Sequence, residues 1–361
     1  MITDITKIDK NFKVETKIQK EDLKFYNPLF EPFAIYGLMF SGEFYHRMPL
    51  DIAKATSEGV NGLNLHTAGG RIRFKTTSAY VAINTKYLYE GSGKMAHFTT
   101  VGASGYDMYL VEDGKAVYFK SFIPQYNFGT EFESIVEFPD NSERDIIIHF
   151  PLYNTAKDLY IGLQESATVS PGSKYKYEKP VVYYGSSITQ GGCASRPGNT
   201  YENMVSRYFD TNFLNLGFSG SCKAEDAMIE YIPTLDMSIF VYDYDHNAPS
   251  AEHLAATHEK LFKAFRQKQP DTPVIIMTMT DIPRTPGAVT NTQNRFNVIR
   301  KTYENAIAAG DKNVYFINGQ DVFKLAGYAD CTVDGCHPND LGFYCMSQAV
   351  IKVIEENNLL K

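Results

Sequence analysis

The sequence predicts an α/β chain in which a doubly wound parallel sheet is preceded by an N-terminal β-sandwich. Three observations carry this. Between about Phe33 and Leu163, short apolar or alternating runs are broken by turn residues; beyond about residue 176, strand-length apolar runs alternate with amphipathic helical patterns. The two patterns meet at a breaker-rich stretch, Ser170-Pro171-Gly172-Ser173 followed by Lys174 to Pro180. A chain of 361 residues exceeds one ordinary core, so the expected domains are residues 1–176 and 177–361.

Taken in order, the opening segment from Met1 to Lys24 mixes Asp, Lys and Glu with isolated apolar residues. It has no apolar run of the kind a signal peptide or membrane span needs, so a cytoplasmic protein without membrane association is expected. The sandwich strands are expected at Phe33 to Met39, Ile72 to Phe74, Tyr80 to Ile83, Tyr106 to Val111, Ala116 to Phe122, Ser134 to Phe138 and Ile146 to Phe150.

In the second half, Val181 to Gly185, Phe213 to Gly217, Ser238 to Asp243, Val274 to Met279 and Val314 to Ile317 read as buried strands. Between them one helix places Leu254, His258, Leu261, Phe262 and Phe265 on one face and ends before Pro270. Another carries Phe296, Ile299, Tyr303 and Ile307 and ends at Gly310; the last runs from about Asn339 to Glu356. Right-handed βαβ units of this kind give a parallel sheet covered on both faces, with the site at the carboxyl ends of the strands.

Composition narrows the function. A formal net charge of −7 disfavours the broad basic surface that nucleic acid requires, leaving small-molecule or neutral oligosaccharide partners. The chain has no Trp but 25 Tyr and 24 Phe, rings that pack cores and strands and also stack on sugars. Its five cysteines, Cys193, Cys222, Cys331, Cys336 and Cys345, form no CxxC pair and indicate neither a disulfide framework nor a zinc finger.

The strand-end loops hold the chemistry. After the first parallel strand comes Gly185-Ser186-Ser187-Ile188-Thr189, a turn of small residues able to expose a hydroxyl. It lacks the GxSxG pattern of the α/β-hydrolase elbow. Before the last helix comes Asp334-Gly335-Cys336-His337-Pro338-Asn339. A serine becomes a nucleophile when an imidazole takes its proton, and an imidazole serves best when a carboxylate fixes its tautomer. Asp334 is placed to do that for His337, Gly335 permits a tight turn, Pro338 keeps His337 out of helical geometry, and Asn339 suits a helix cap. An ordinary Asp-Gly turn with a surface histidine is the alternative.

Two further loops offer hydrogen-bond donors. The glycine of Gly217-Phe218-Ser219-Gly220 lets an oxygen approach the main chain, and Asn247 follows the third strand; a plain β-to-α turn and a helix cap are the alternatives. The succession Ser, Gly, Asn, His across four strand-end loops resembles the SGNH, or GDSL-like, hydrolase family, whose name spells those residues. The resemblance covers roughly Val181 to the C-terminus and implies a flavodoxin-like sheet. It implies Ser187 as nucleophile, His337 as base and Asp334 as orienting acid, with the Ser187 and Gly217 amides and the Asn247 side chain forming the oxyanion hole. No metal or other cofactor is implied. Ser186 stands where the family usually has Asp, and the glycine-containing GxND pattern is absent around Asn247.

Two-domain members of that family with an N-terminal β-domain include carbohydrate esterases that remove acetyl groups. By that resemblance residues 1–176 form a jelly-roll-like sandwich and the substrate is an O-acetylated carbohydrate. A general short-chain carboxylesterase, a lysophospholipase-like enzyme and a noncatalytic carbohydrate-binding protein are the competing readings. A metal site at Asp243, Asp245 and His246 is the chemical rival. Arg196, in the long loop after Ser187, is either a substrate contact or a surface charge.

Overall fold

The computed structural model describes residues 14–90, 95–280 and 285–361. Most of the opening segment, residues 1–13, lies outside the described residues. The chain divides into two compact units that are not continuous in sequence. One contains residues 1–47, 65–174 and 196–198; the other contains residues 48–64, 175–195 and 199–361.

The first unit is mostly strand. Its strands are β1 (Leu23–Tyr26), β2 (Ala34–Tyr36), β3 (Met39–Phe40), β4 (Tyr45–His46), β5 (Arg71–Thr76), β6 (Tyr80–Tyr87), β7 (Tyr106–Glu112), β8 (Lys115–Phe122), β9 (Glu131–Glu137), β10 (Arg144–His149), β11 (Ala156–Gln164) and β12 (Val169–Pro171). One sheet runs β1-β11-β6-β9 and the other β12-β5-β10-β7-β8, with β2 paired to β5. Period-two alternation builds the core: Ile72 and Phe74, Val81 and Ile83, Tyr106 and Met108, Ile146 and Ile148, and Leu159, Ile161 and Leu163 form one buried cluster drawn from both sheets. Register enforces it, since Ile148 lies opposite Ile72 on one side and Met108 on the other. Each such side chain contributes roughly 1.5–3 kcal/mol by leaving water.

The second unit contains β13 (Tyr177–Gly185), β14 (Thr211–Gly217), β15 (Ile239–Asp243), β16 (Val274–Met277) and β17 (Val314–Ile317). They form a five-stranded parallel sheet in the order β14-β13-β15-β16-β17, the flavodoxin-like order. Along β13, Val182 and Tyr184 enter a core with Leu216, Phe240, Leu261, Phe265 and Ile299, supplied in part by the helices Ala251–Lys268 and Pro286–Ala308. The alternate residue Tyr183 meets Tyr201 of the helix Tyr201–Phe209 on the opposite face, at 5.4 Å between ring centroids. Helices therefore cover both faces.

Some expected boundaries moved. The strand expected to reach Met279 stops at Met277, and β1, β4, β11 and β12 had no counterpart in the reading of the sequence. Two short helices, Leu50–Thr56 and Glu58–Leu63, stand in a region read as strand and turn, and Ala53 and Val60 join the core of the second unit. Among the described residues no helix is long and apolar enough to cross a membrane.

Candidate active site

The reversal of strand order places β13 between β14 and β15, and Ser187 follows directly from the carboxyl end of β13. Gly185 closes that strand where no side chain fits: a Cβ there would lie 2.0 Å from Asp243 Oδ1 and 2.1 Å from Thr189 Oγ1. Ser186 then caps a one-turn helix, Ser187–Gln190, its Oγ accepting from the Ile188 N–H at 3.1 Å. The turn leaves through Gly191, whose φ of 100° suits a residue without Cβ. Ser187 is 9% exposed.

Behind this helix is a buried polar network. Thr189 Oγ1 donates to Asp243 Oδ1 at 2.6 Å and lies 3.2 Å from the Tyr201 hydroxyl, while Asn215 Nδ2 donates to the Thr189 carbonyl at 2.6 Å. Burial pushes the Asp243 carboxyl up to about 7, against the pull of the Thr189 bond and the His246 charge; the neighbouring Asp245 adds to the rise. Glu202, fully buried nearby, is pushed well above the carboxylate range by desolvation.

The loop carrying His337 is held largely by its own residues. Asp334 Oδ1 accepts the N–H groups of Cys336 at 3.0 Å and His337 at 2.7 Å, and Gly335 turns the chain with φ of 93°. The second oxygen, Oδ2, lies 2.7 Å from His337 Nδ1. Burial raises the Asp334 carboxyl, but the imidazole bond, the two main-chain donors and the histidine charge outweigh it and bring it down to about 2. An ionised Asp334 fixes the proton of His337 on Nδ1, which leaves Nε2 as an acceptor. Ser187 Oγ lies 3.0 Å from that nitrogen and donates to it. Asn339 caps the final helix, Asp340–Glu356, by accepting from the Leu341 and Gly342 N–H groups. A hydroxyl, an imidazole and a carboxylate are thus aligned for proton transfer from oxygen to nitrogen.

The other expected residues fall differently. The Gly217 N–H is donated to Asn215 Oδ1 at 2.9 Å, so this amide does not face an incoming oxygen; a Cβ here would strike the Gln190 main chain at 2.2 Å, and close packing is what this glycine serves. Gly220, exposed at φ of 67° with open space around it, is the glycine of that loop turned toward solvent. Asn247 is half-buried and its Oδ1 faces the Cys222 N–H at 3.4 Å, which turns its amide NH₂ the other way. Arg196 belongs to the first unit, where it donates to Asp107 Oδ2 at 2.9 Å and to the Tyr109 hydroxyl, with its guanidinium 3.9 Å from the Tyr118 ring centroid. Asp107 also accepts from the Gly198 N–H and lies 2.7 Å from His149 Nδ1. The Arg196 charge is therefore satisfied within that unit.

Asp243, Asp245 and His246 do not form a metal-ligand cluster among the described residues. Asp243 takes the Thr189 hydroxyl and Asp245 Oδ2 accepts the Met279 N–H. None of the five cysteines is in a disulfide. Thr189, Asn215 and Asp340 were not anticipated, and Asp243, expected as a candidate metal ligand, instead accepts from Thr189; each acts through partners distant in sequence. The only hint was the small-residue spacing around Gly185.

Residues 178–355 match the model of the GDSL-like lipase/acylhydrolase family. Residues 23–169 match a family described as the N-terminus of SGNH hydrolase-type esterases, whose short name spells a Gly-x-Asp-Leu-Tyr motif; this chain has Gly105-Tyr106-Asp107-Met108-Tyr109. A solved GDSL-like lipase from Bacteroides ovatus is 29% identical, covers 94% of this chain and 99% of its own, and superposes with a TM-score of 0.85. The salicylyl-acyltransferase of a tetracycline biosynthetic pathway is 15% identical, with 95% and 100% coverage and a TM-score of 0.78. A family two carbohydrate esterase from Clostridium thermocellum, solved with cellohexaose, is 10% identical, with 90% and 99% coverage and a TM-score of 0.61. No curated protein matches the chain.

Proposed function

Because the chain belongs to the GDSL-like lipase/acylhydrolase family and is a carboxylic ester hydrolase of the SGNH type, we propose that it hydrolyses short-chain acyl esters, foremost O-acetyl groups on carbohydrate, through an acyl-enzyme on Ser187. The observation that carries this reading is the pair of contacts from Ser187 Oγ to His337 Nε2 at 3.0 Å and from His337 Nδ1 to Asp334 Oδ2 at 2.7 Å.

In this mechanism His337 Nε2 accepts the Ser187 proton as Oγ attacks the ester carbonyl. Asp334 holds the imidazole in the required tautomer and stabilises the imidazolium that forms. The negative charge on the carbonyl oxygen is met by the Ser187 amide, the Asn247 amide group and, in place of Gly217, the Gly220 N–H. His337 then returns its proton to the departing alcohol. It next deprotonates a water that attacks the acyl-enzyme, and the acid leaves with Ser187 restored.

The carbohydrate assignment draws on the fold shared with carbohydrate esterases, among them an acetyl xylan esterase from Butyrivibrio proteoclasticus. The test is acetate release from acetylated xylo-oligosaccharides beside hydrolysis of p-nitrophenyl acetate. The parent should act on both, and Ser187→Ala should lose at least ~10³-fold on each with its melting temperature unchanged. Parent-level turnover by Ser187→Ala removes Ser187 from the mechanism. Activity on the simple ester without acetate release from sugar moves the substrate to a general carboxylic ester.

A further inference from the structure

Ser187 and His337 are 150 residues apart in sequence, so their contact depends on what joins the two loops that carry them. From Ser187 onward the chain is tightly turned. Gly191 N–H donates to the Ile188 carbonyl, Gly192 N–H to the Ser187 carbonyl at 2.8 Å and Ala194 N–H to the Gly191 carbonyl at 3.2 Å. The next N–H, that of Ser195, donates to Asp340 Oδ1 at 2.8 Å. The Ser195 hydroxyl donates to Asp340 Oδ2, and Asn199 Nδ2 donates to the same oxygen at 2.8 Å. One carboxylate thus receives three donors from both ends of a short loop segment.

On the other side Asp340 follows His337 closely. Pro338 intervenes with its φ fixed by the ring, Val333 N–H donates to the His337 carbonyl at 2.9 Å, and Asn339 N–H donates to the Cys331 carbonyl at 2.9 Å. A closed ring results, running from Ser187 to Ser195, across to Asp340, back to His337 and across to Ser187. As the first residue of the final helix, Asp340 would ordinarily be read as a charge favouring the helix N-terminus. Three donors converging on it from another loop go beyond that need.

We propose that Asp340 is a positioning residue for the reaction, a clasp between the nucleophile loop and the base loop that sets the approach of Ser187 Oγ to His337 Nε2. The inference rests on the reading of Ser187 and His337 as nucleophile and base. Asp340→Asn keeps the size but replaces one acceptor oxygen with an NH₂ that faces donors. Because a misplacement near 1 Å costs about 100-fold in rate, the clasp predicts a fall in kcat of about 10- to 100-fold, with KM for p-nitrophenyl acetate within about twofold.

The experiment measures kcat, KM and active-site content by fluorophosphonate titration in the parent, Asp340→Asn and Ser187→Ala chains. Full titration of Asp340→Asn with slowed kcat and slowed labelling is the expected result. A kcat within twofold of the parent overturns the clasp, as does a loss of titratable sites proportional to the loss of rate, which marks a purely structural role. Should Asp340→Asn fail to fold, Ser195→Ala, which removes one donor, is read in the same way and should show a smaller fall in kcat at full titration. A pairing exchange, Asp340→Asn with Asn199→Asp, restores a donor–acceptor match and should recover part of the rate. Activity in Ser187→Ala would instead strike the nucleophile assignment, leaving the two failures distinct.

Discussion

The turn bearing Ser187 and the loop bearing His337 meet at the Ser187–His337 hydrogen bond, yet they are secured by different means. The Ser187 turn is buried and held from behind by residues from elsewhere in the fold: Gly185 leaves room, Asp243 and Tyr201 meet the Thr189 hydroxyl, and Asn215 meets its carbonyl. The loop of His337 is more open, with side-chain exposure of 25% at His337 and 36% at Asp334, and Asp334 supplies both the imidazole's partner and the acceptor for the Cys336 and His337 N–H groups. Disturbing the first should cost stability and rate together; disturbing the second should cost rate with little stability.

The largest expected effect breaks the open loop. Asp334→Asn keeps an oxygen for the Cys336 and His337 N–H groups but turns a donor toward Nδ1, favouring the wrong tautomer. Ester turnover should fall by about 10²- to 10⁴-fold while thermal melting shifts by no more than a few degrees. Large unfolding instead would show that this loop, too, is fixed by the fold as a whole.

Gly185→Ala probes the buried turn. With Asp243 and Thr189 oxygens about 2 Å from the new methyl, overpacking should cost ~1–3 kcal/mol in chemical denaturation and lower activity in parallel. A variant of parent stability would mean that the network yields easily, which removes the contrast.

The last effect is one of pH, read on stability alone. Burial raises Asp243 from 3.8 to about 7, so between these values the folded state keeps a proton that the unfolded chain gives up. Asp243 therefore contributes stability that is lost as pH rises from about 4 to about 7, on the order of 4 kcal/mol, while burial lowers His66 and His258 to about 3 and adds an opposing slope over the same window. Asp243→Asn retains an acceptor for Thr189 and should remove the Asp243 contribution, so its stability should rise more steeply with pH across this window than the parent's; Glu202, also raised by burial, acts with Asp243, and the two histidines act against it. Denaturation series across pH measure it, and an unchanged slope would place the proton elsewhere.

The same contrast explains what the sequence revealed. Asp334 and His337 were readable because their interaction is local, spanning one Asp-Gly turn, and the strand Val314–Ile317 was delimited by its apolar run. The parallel sheet followed from the alternation of buried runs with amphipathic helices. Gly217 and Gly220 share one loop, and only the fold reveals that the first packs against Gln190 while the second is open. The convergence of Ser195 and Asn199 on Asp340 joins residues 145 and 141 apart, beyond any local pattern. The helices Leu50–Thr56 and Glu58–Leu63 are too short for a periodic signal and owe their burial to a core assembled largely from residues beyond 180.

The role proposed for Ser187 is tested most directly by covalent labelling with a fluorophosphonate, followed by mass spectrometry of the digested protein. One phosphonyl group per chain is expected, carried by Ser187, with esterase activity lost in step with its attachment. An adduct confined to another residue, or complete labelling of Ser187 with activity retained, would contradict it.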